Sequence, residues 1–450
     1  MKSSEAGLSR KLGPFDATMI VMGGIIGSGI FMNPHVVAEY LYSPWLIIGA
    51  CVAGGLIAIL GAFIYAELAA RRPEVGGQYA YLREAYHPLV AFLFGWSLLL
   101  ISNCGGMAAV AMTFGRYFIE VTALPVSDTA VAILTLIILT FVNCLGVRSG
   151  STVQNTLMVI KIFAVVVLVV CGYAFIHPMK EVLMVKQDTT GSFARITSFG
   201  AALVPVMFAY GGWQTANFIA GEIVEPRKNL PRGLLMGVSG VIVLYMSVNF
   251  ICVRALGVDG LARTTAPASD VMSLAFGSAG AKFIAIGIAI STLGFLSQSI
   301  LTAPRVYFAM AEDGLFFRSV SWIHPKTHVP VVAIALEGLL SIVVILWGSY
   351  EQILSYVVSD DFIFFGLTAS CIFFFRKKSA HDAGEESRFN MPGHPVTTIL
   401  FIIVAVLIVL NTIYKYPVNT LIGIAIILTG IPIFYLWKSR NRSHEPIKSL

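Results

Sequence analysis

Two short stretches put glycine where an apolar run long enough to cross a membrane would otherwise stay helical. GGIIGSGIF, from Gly23 to Phe31, holds four glycines in nine residues, and FAYGGWQ, from Phe208 to Gln214, holds Gly211 and Gly212. Each glycine loosens a helix by roughly 1 kcal/mol relative to alanine. Glycine is common in membrane helices in any case, but two clusters at similar depth in the first and sixth apolar runs favour paired helix breaks over plain composition. A break leaves N–H groups free at the start of the second half-helix, where they attract an anion such as a carboxylate. It leaves carbonyls free at the end of the first half, where they attract a cation. One ligand class carries both charges on a single carbon: an amino acid.

Charges also lie inside the apolar runs. Lys161, in LMVIKIFAV, is far from either end of its run. An ammonium at helix centre costs about 2.5 to 3.5 kcal/mol on insertion scales, so it is expected to face the bundle interior against carbonyls or hydroxyls and not to snorkel. Asp360 and Asp361, in SYVVSDDFIFFG, point about 100° apart on a helix, so at most one is expected to face a cavity. The pair reads either as a polar break or cap, or as a protonatable or substrate-facing carboxylate. Glu67, in IYAEL, is expected to serve a gate or a loop contact. His324 and His328 have i,i+4 spacing, yet Pro325 and the loop setting argue against a metal pair. All six cysteines (Cys51, Cys104, Cys144, Cys171, Cys252, Cys371) fall in apolar runs, where a thiol behaves as a small hydrophobe, so no disulfide and no metal site is expected. Nucleophile-elbow, zinc-protease and phosphate-loop signatures are absent, so no enzyme activity and no cofactor is expected.

The elements that must position these groups are membrane helices. Hydrophobic residues make up 57% of the 450-residue chain and charged residues 12%, and the mean hydropathy is +0.82. That composition defines an all-α polytopic membrane protein. Apolar runs predict twelve transmembrane helices, at 15–40, 44–70, 86–115, 129–146, 152–176, 199–222, 233–254, 282–310, 330–347, 353–375, 396–413 and 419–437. The first run is too long for a signal peptide and many more follow, so no cleavable leader is expected. Most of the 30 Lys and Arg, including those at 71–72, 227–228 and 376–378, fall on the side shared by both termini, which places both tails in the cytoplasm. The net charge of +6 is then a topology signal, with no cluster suited to nucleic acid.

The residues also carry a family resemblance. FAYGGW at 208–213 followed by EIVEPRKNLPRG from Glu222, GSGIF from Gly27, GGQYAYLREAY from Gly76, VNCLGVRSGSTVQN from Val142 and AEDGLFFRSVSWIHPKTHVP from Ala311 resemble the L-type amino acid transporters of the amino acid, polyamine and organocation superfamily. The motifs occur in order over nearly the whole chain. The resemblance implies two inverted five-helix repeats at 15–190 and 191–378, with the first and sixth helices broken. A cytoplasmic loop at 379–395, two appended helices within 396–438 and cytoplasmic tails at 1–14 and 439–450 complete the chain. It further implies that Gly27, Ser28 and Gly29 cradle a carboxylate and that the carbonyls of Ile25, Phe208, Ala209 and Gly211 accept an ammonium. Gln214 joins that substrate site, and Phe208 gates it. Lys161 stands where sodium-coupled relatives of the fold hold sodium, with Ser299 in LSQSILTAPR as its expected partner on the eighth span. A fixed cation there makes sodium unnecessary.

Two departures bear on partners and substrate. Animal members of the family have a cysteine after the third span that joins a heavy subunit, whereas YFIEVTALPVSDTA here has none, so no disulfide-linked heavy subunit is expected. The short tails fit a free-standing prokaryotic carrier. The animal proteins are aromatic near Asp360 and Asp361, so a bulky-substrate preference does not carry over. The expected activity is sodium-independent transport of small neutral amino acids such as Ala, Ser and Thr by alternating access in the cell membrane, with exchange ahead of proton symport. A channel would need a ring of like residues, and a non-transporting sensor would normally need a signalling domain. Gly54, outside the motifs, is expected to tolerate alanine.

Overall fold

The computed structural model describes residues 8, 10–176, 192–347, 350–381 and 389–442. Residues 1–7, 9, 382–388 and 443–450, which hold most of the expected tails and part of the expected 379–395 loop, lie outside the described residues. Proline in the first turn opens α1 (Pro14–Ile25), α3 (Pro44–Arg71), α5 (Pro88–Ser97), α10 (Pro226–Arg263) and α11 (Pro267–Thr302). Its missing N–H is harmless there because that position has no intrahelical acceptor. Between these come α2 (Gly29–Tyr40), α4 (Gln78–Ala85), α6 (Asn103–Thr122), α7 (Asp128–Cys144), α8 (Val147–Phe175) and α9 (Ser192–Tyr210). The chain ends with α12 (Pro304–Glu312), α13 (Val331–Trp347), α14 (Tyr350–His381), α15 (Val396–Lys415) and α16 (Pro417–Arg442). A π-helix, Leu98–Ser102, joins α5 to α6, and a 3₁₀ stretch, Trp213–Glu222, follows α9. Among the described residues 10 helical stretches are long and apolar enough to cross a membrane, with two shorter apolar helices at α7 and α13.

Several boundaries differ from the hydropathy reading for identifiable reasons. The run expected at 282–310 is divided, because α11 ends at Thr302 and Pro304 opens a new helix. The span expected at 233–254 is the apolar middle of α10, which begins earlier in a polar turn at Pro226 and is kinked at Gly257 (φ +67°) before its last residues. The run expected at 86–115 contains the π-helix, which no composition rule announces.

α8 shows how the bundle meets lipid. Val159, Phe163, Val166 and Val170 are exposed on one face, while Gln154, Met158, Lys161, Val165 and Leu168 are buried on the other. Lys161 is therefore interior and does not snorkel. Small residues let the inner helices touch: a Cβ on Gly233 or Gly237 of α10 would come within 2.7 Å of Ala17 Cβ or Val21 Cγ1 of α1.

The same measure overturns the expectation for Gly54. A Cβ there would lie 2.3 Å from Val206 Cγ1 and 3.0 Å from the Tyr210 ring, because α3 packs on α9 through this glycine. Gly49, one and a half turns earlier, has nothing within 4 Å of the same position. Gly54→Ala is expected to destabilise the protein by about 1 to 3 kcal/mol, the usual overpacking penalty. Gly49→Ala should be neutral or stabilise by up to about 1 kcal/mol. Thermal unfolding of the two purified variants against wild type checks the contrast.

Candidate functional site

The two glycine clusters meet. α1 ends at Ile25, Ile26 turns to an extended conformation (φ −78°, ψ 95°), and α2 restarts at Gly29. On the other side α9 ends at Tyr210, and Gly212 takes φ +101° before the 3₁₀ stretch begins. A Cβ on Gly212 would sit 2.1 Å from the carbonyl oxygen of Gly24, and one on Gly24 would lie 2.8 Å from that of Gly212. The backbones cross at a distance only glycine permits. The role of Gly24 in this crossing was not visible in the sequence, where it is one glycine among four.

Four carbonyls at the first break have identifiable partners. Lys161 Nζ donates to Ile26 O and lies 3.5 Å from Gly23 O. Tyr245 of α10 reaches both breaks, its hydroxyl lying 3.0 Å from Ile25 O and 3.1 Å from Ala209 O. Ser291 of α11 donates to Gly27 O at 3.0 Å. Ser299, the expected partner of Lys161, does not fill that role. It lies eight residues further along α11, about 12 Å of helix rise, and faces the cavity, whereas Ser291 is level with the break. Neither Tyr245 nor Ser291 carried a sequence signal beyond being polar within an apolar run.

One cavity gathers most of the expected site. Ile25, Gly27, Ser28 and Gly29 line it from the first break, and Phe208, Ala209, Gly211 and Gln214 from the second. Ser299 and Asp361 complete that set from α11 and α14. Ser28 is 1% exposed and its hydroxyl has no partner, which leaves a buried donor at the wall. Phe208 O accepts Gly211 N at 3.3 Å, while Ile25 O and Ala209 O each keep a second lone pair beyond Tyr245. Asp360 and Lys161 stand behind the wall, both buried.

The sequence reading missed the opposite wall. The π-helix places Ser102 and Asn103 at the cavity, and such bulges recur at functional sites. Asn103 donates to the carboxylate of Glu337, which is fully buried in α13. A lone glutamate within VVAIALEGLLSIVVILW was the available signal. Gln298 donates to Thr215 Oγ1 at 2.6 Å and ties α11 to the 3₁₀ stretch.

The end of the bundle where α1 begins is locked by charge. Glu222 and Arg305, both fully buried, pair through Nε at 2.6 Å and Nη2 at 3.3 Å, while Glu222 O accepts the N–H groups of Lys11 and Leu12. Tyr79 and Arg83 both donate to Asp313 at 2.7 Å. Glu67 accepts from Arg71, from Arg376 and from the N–H of Met391, so it joins α3 to α14 and to the segment beyond it. Among the described residues no three His, Cys, Asp or Glu gather as metal ligands, and the six cysteines are free thiols.

A cavity walled by two interrupted helices, with carbonyls of both breaks at its wall, suits a solute transporter. The amino acid permease family model matches residues 12–437, and the chain belongs to that family. It is 28% identical over 447 residues to the serine/threonine exchanger SteT of Bacillus subtilis, covering 98% of this chain and 100% of the relative. It is 28% identical over 440 residues to the human large neutral amino acids transporter small subunit 2, covering 95% and 80%. With the mouse Asc-type amino acid transporter 1 it shares 26% identity over 456 residues, covering 98% and 84%.

Lys161→Ala is expected to stop transport while the protein still purifies as a folded species. Ser291→Ala, which frees the Gly27 carbonyl, should lower stability by about 0.5 to 1.5 kcal/mol, and Ser299→Ala by less. Size-exclusion profiles, thermal shifts and flux on the three variants check this ordering.

Proposed function

We propose that this chain is a sodium-independent carrier that exchanges small neutral amino acids across the cell membrane by alternating access. The observation that carries this reading is the Lys161 ammonium on the Ile26 carbonyl, directly behind a cavity walled by both breaks. A protein cation in that position supplies the charge that a bound sodium ion supplies in other carriers. The substrate carboxylate rests at the start of α2 on Gly27, Ser28 and Gly29, where free N–H groups and the helix dipole favour an anion. Its ammonium rests on the remaining lone pairs of Ile25, Phe208, Ala209 and Gly211, with Gln214 alongside and Phe208 above. Phe295 and Phe362 bound the space left for the side chain, which supports a small substrate. The serine/threonine exchange named for the Bacillus subtilis relative supports both the substrate class and exchange.

The architecture proposed with this function is twelve crossings, the ten long stretches together with α7 and α13. They form two inverted five-helix repeats, α1 to α8 and α9 to α14, with α15 and α16 appended. The support is that each half opens on a crossing interrupted at glycine beside the same cavity. Both termini face the cytoplasm on the distribution of Lys and Arg. The carrier works without a disulfide-linked heavy subunit, since no cysteine lies between α6 and α7.

Labelled serine, threonine and alanine should enter proteoliposomes of the purified protein, saturably and faster when the lumen holds unlabelled substrate. Flux that neither saturates nor responds to internal substrate would exclude exchange, and binding without flux would favour a sensor. The rate should not change when sodium is replaced by choline. The methyl ester and the deaminated analogue of a substrate should each compete at least about tenfold more weakly, because each loses a charge-assisted set of hydrogen bonds worth roughly 1.5 to 3 kcal/mol.

A further inference from the structure

The hydrogen bonds at Asp360 and Asp361 do not close without one more proton. Ser102, the last residue of the π-helix, places its Oγ 2.7 Å from Asp360 Oδ2 and 3.0 Å from Asp361 Oδ1. A serine hydroxyl has a single O–H to donate. With both carboxylates ionised, that one proton would have to be shared between two negatively charged oxygens on adjacent residues, a far weaker arrangement than one O–H for each contact. No cation offers relief: neither aspartate interacts with a Lys, Arg or His among the described residues. Among the described residues the only other titratable group acting on the pair is the Tyr65 phenol of α3. The π-helix, α4, α6, α9, α15 and α16, which also pack on α14, bring no charge against it.

We propose that Asp360, Ser102 and Asp361 form a binding site for a single proton in the wall of the substrate cavity, loaded in the conformation described here and emptied during the transport cycle. The shorter contact suits a hydroxyl donating to an ionised carboxylate, so Ser102 donates to Asp360. Neutral Asp361 then donates its own O–H to Ser102 Oγ. Asp361 is the member that lines the cavity, whereas Asp360 is buried behind it. The proton therefore exchanges with cavity water: a hydronium ion gives its proton to the Asp361 carboxylate and leaves as water, and the pair falls from two negative charges to one. Unloading is the reverse. Losing the proton removes one of the two bonds that tie α14 to the π-helix and leaves like charges on adjacent residues away from bulk water. The loaded site keeps the wall in its substrate-accepting shape, and acid favours transport.

The transport readout depends on the carrier function proposed above, whereas the proton site does not, so the test has two arms. In proteoliposomes with serine on both sides and equal internal and external pH, exchange should fall with rising pH, approaching about tenfold per unit as a one-proton site empties. Asp361→Asn, an isostere of the neutral acid, should flatten that profile whatever its absolute rate. In the second arm, the infrared spectrum of the purified protein at neutral pH should contain a carbonyl band of a neutral carboxylic acid that weakens in Asp361→Asn. A pH-independent wild type, or an undiminished profile and band in both Asp360→Asn and Asp361→Asn, would overturn the proposal. So would a flat profile with strong competition by lysine, which would assign the pair to a cationic substrate. If the wild type carries no amino acid yet shows the band, the carrier reading fails and the proton site stands.

Discussion

The rest of the structure depends on one constraint: backbone polar groups released inside a membrane protein must find partners within the protein. Interrupting two crossings beside each other frees N–H and carbonyl groups far from bulk water. Lys161, Tyr245 and Ser291 come from three different helices, α8, α10 and α11, and each ends on a carbonyl of the breaks. A buried ammonium and an unwound helix would each be costly alone. Joined, each answers the other, which is why a lysine 0% exposed at mid-bundle is stable there.

That division of partners also determines what the cavity can hold. The carbonyls of Ile26 and Gly27, on the far side of the linker, are taken by Lys161 and Ser291. Those of Ile25 and Ala209 share a single hydroxyl and keep a lone pair each, and the Ser28 hydroxyl is left without any partner. Ile25, Ala209 and Ser28 line the cavity, so a ligand there would meet carbonyl acceptors beside a hydroxyl.

This logic explains what could be read from the chain alone. The helical class, the two breaks and the inward Lys161 follow from composition, glycine spacing and the cost of a charge in lipid, all of them local properties. Gly54 was misjudged because its environment is α9, 150 residues away, and spacing within α3 says nothing about Val206. Ser299 was expected from the family resemblance, whereas the serine that meets the break is Ser291, and only the level at which α11 passes the break separates the two. The Ser102 and Asn103 wall was missed because it depends on a π-helix inside LLLIS, five ordinary membrane residues. Glu337 and Arg305, charges inside expected apolar runs, were legible signals left unused.

The breaks also connect the cavity to the lock at the α1 end. Trp213–Glu222 runs 10 residues from the second break to the carboxylate that holds Arg305. A 3₁₀ run this long is uncommon, and Ile219 departs from helical geometry within it (φ −99°, ψ 19°), so the stretch is two short pieces joined at a kink. The buried pair is strong only while its geometry holds, since separating it leaves two uncompensated charges. Gly211 and Gln214, which line the cavity, sit at the other end of that stretch, so the cavity wall and the buried ion pair share one continuous segment.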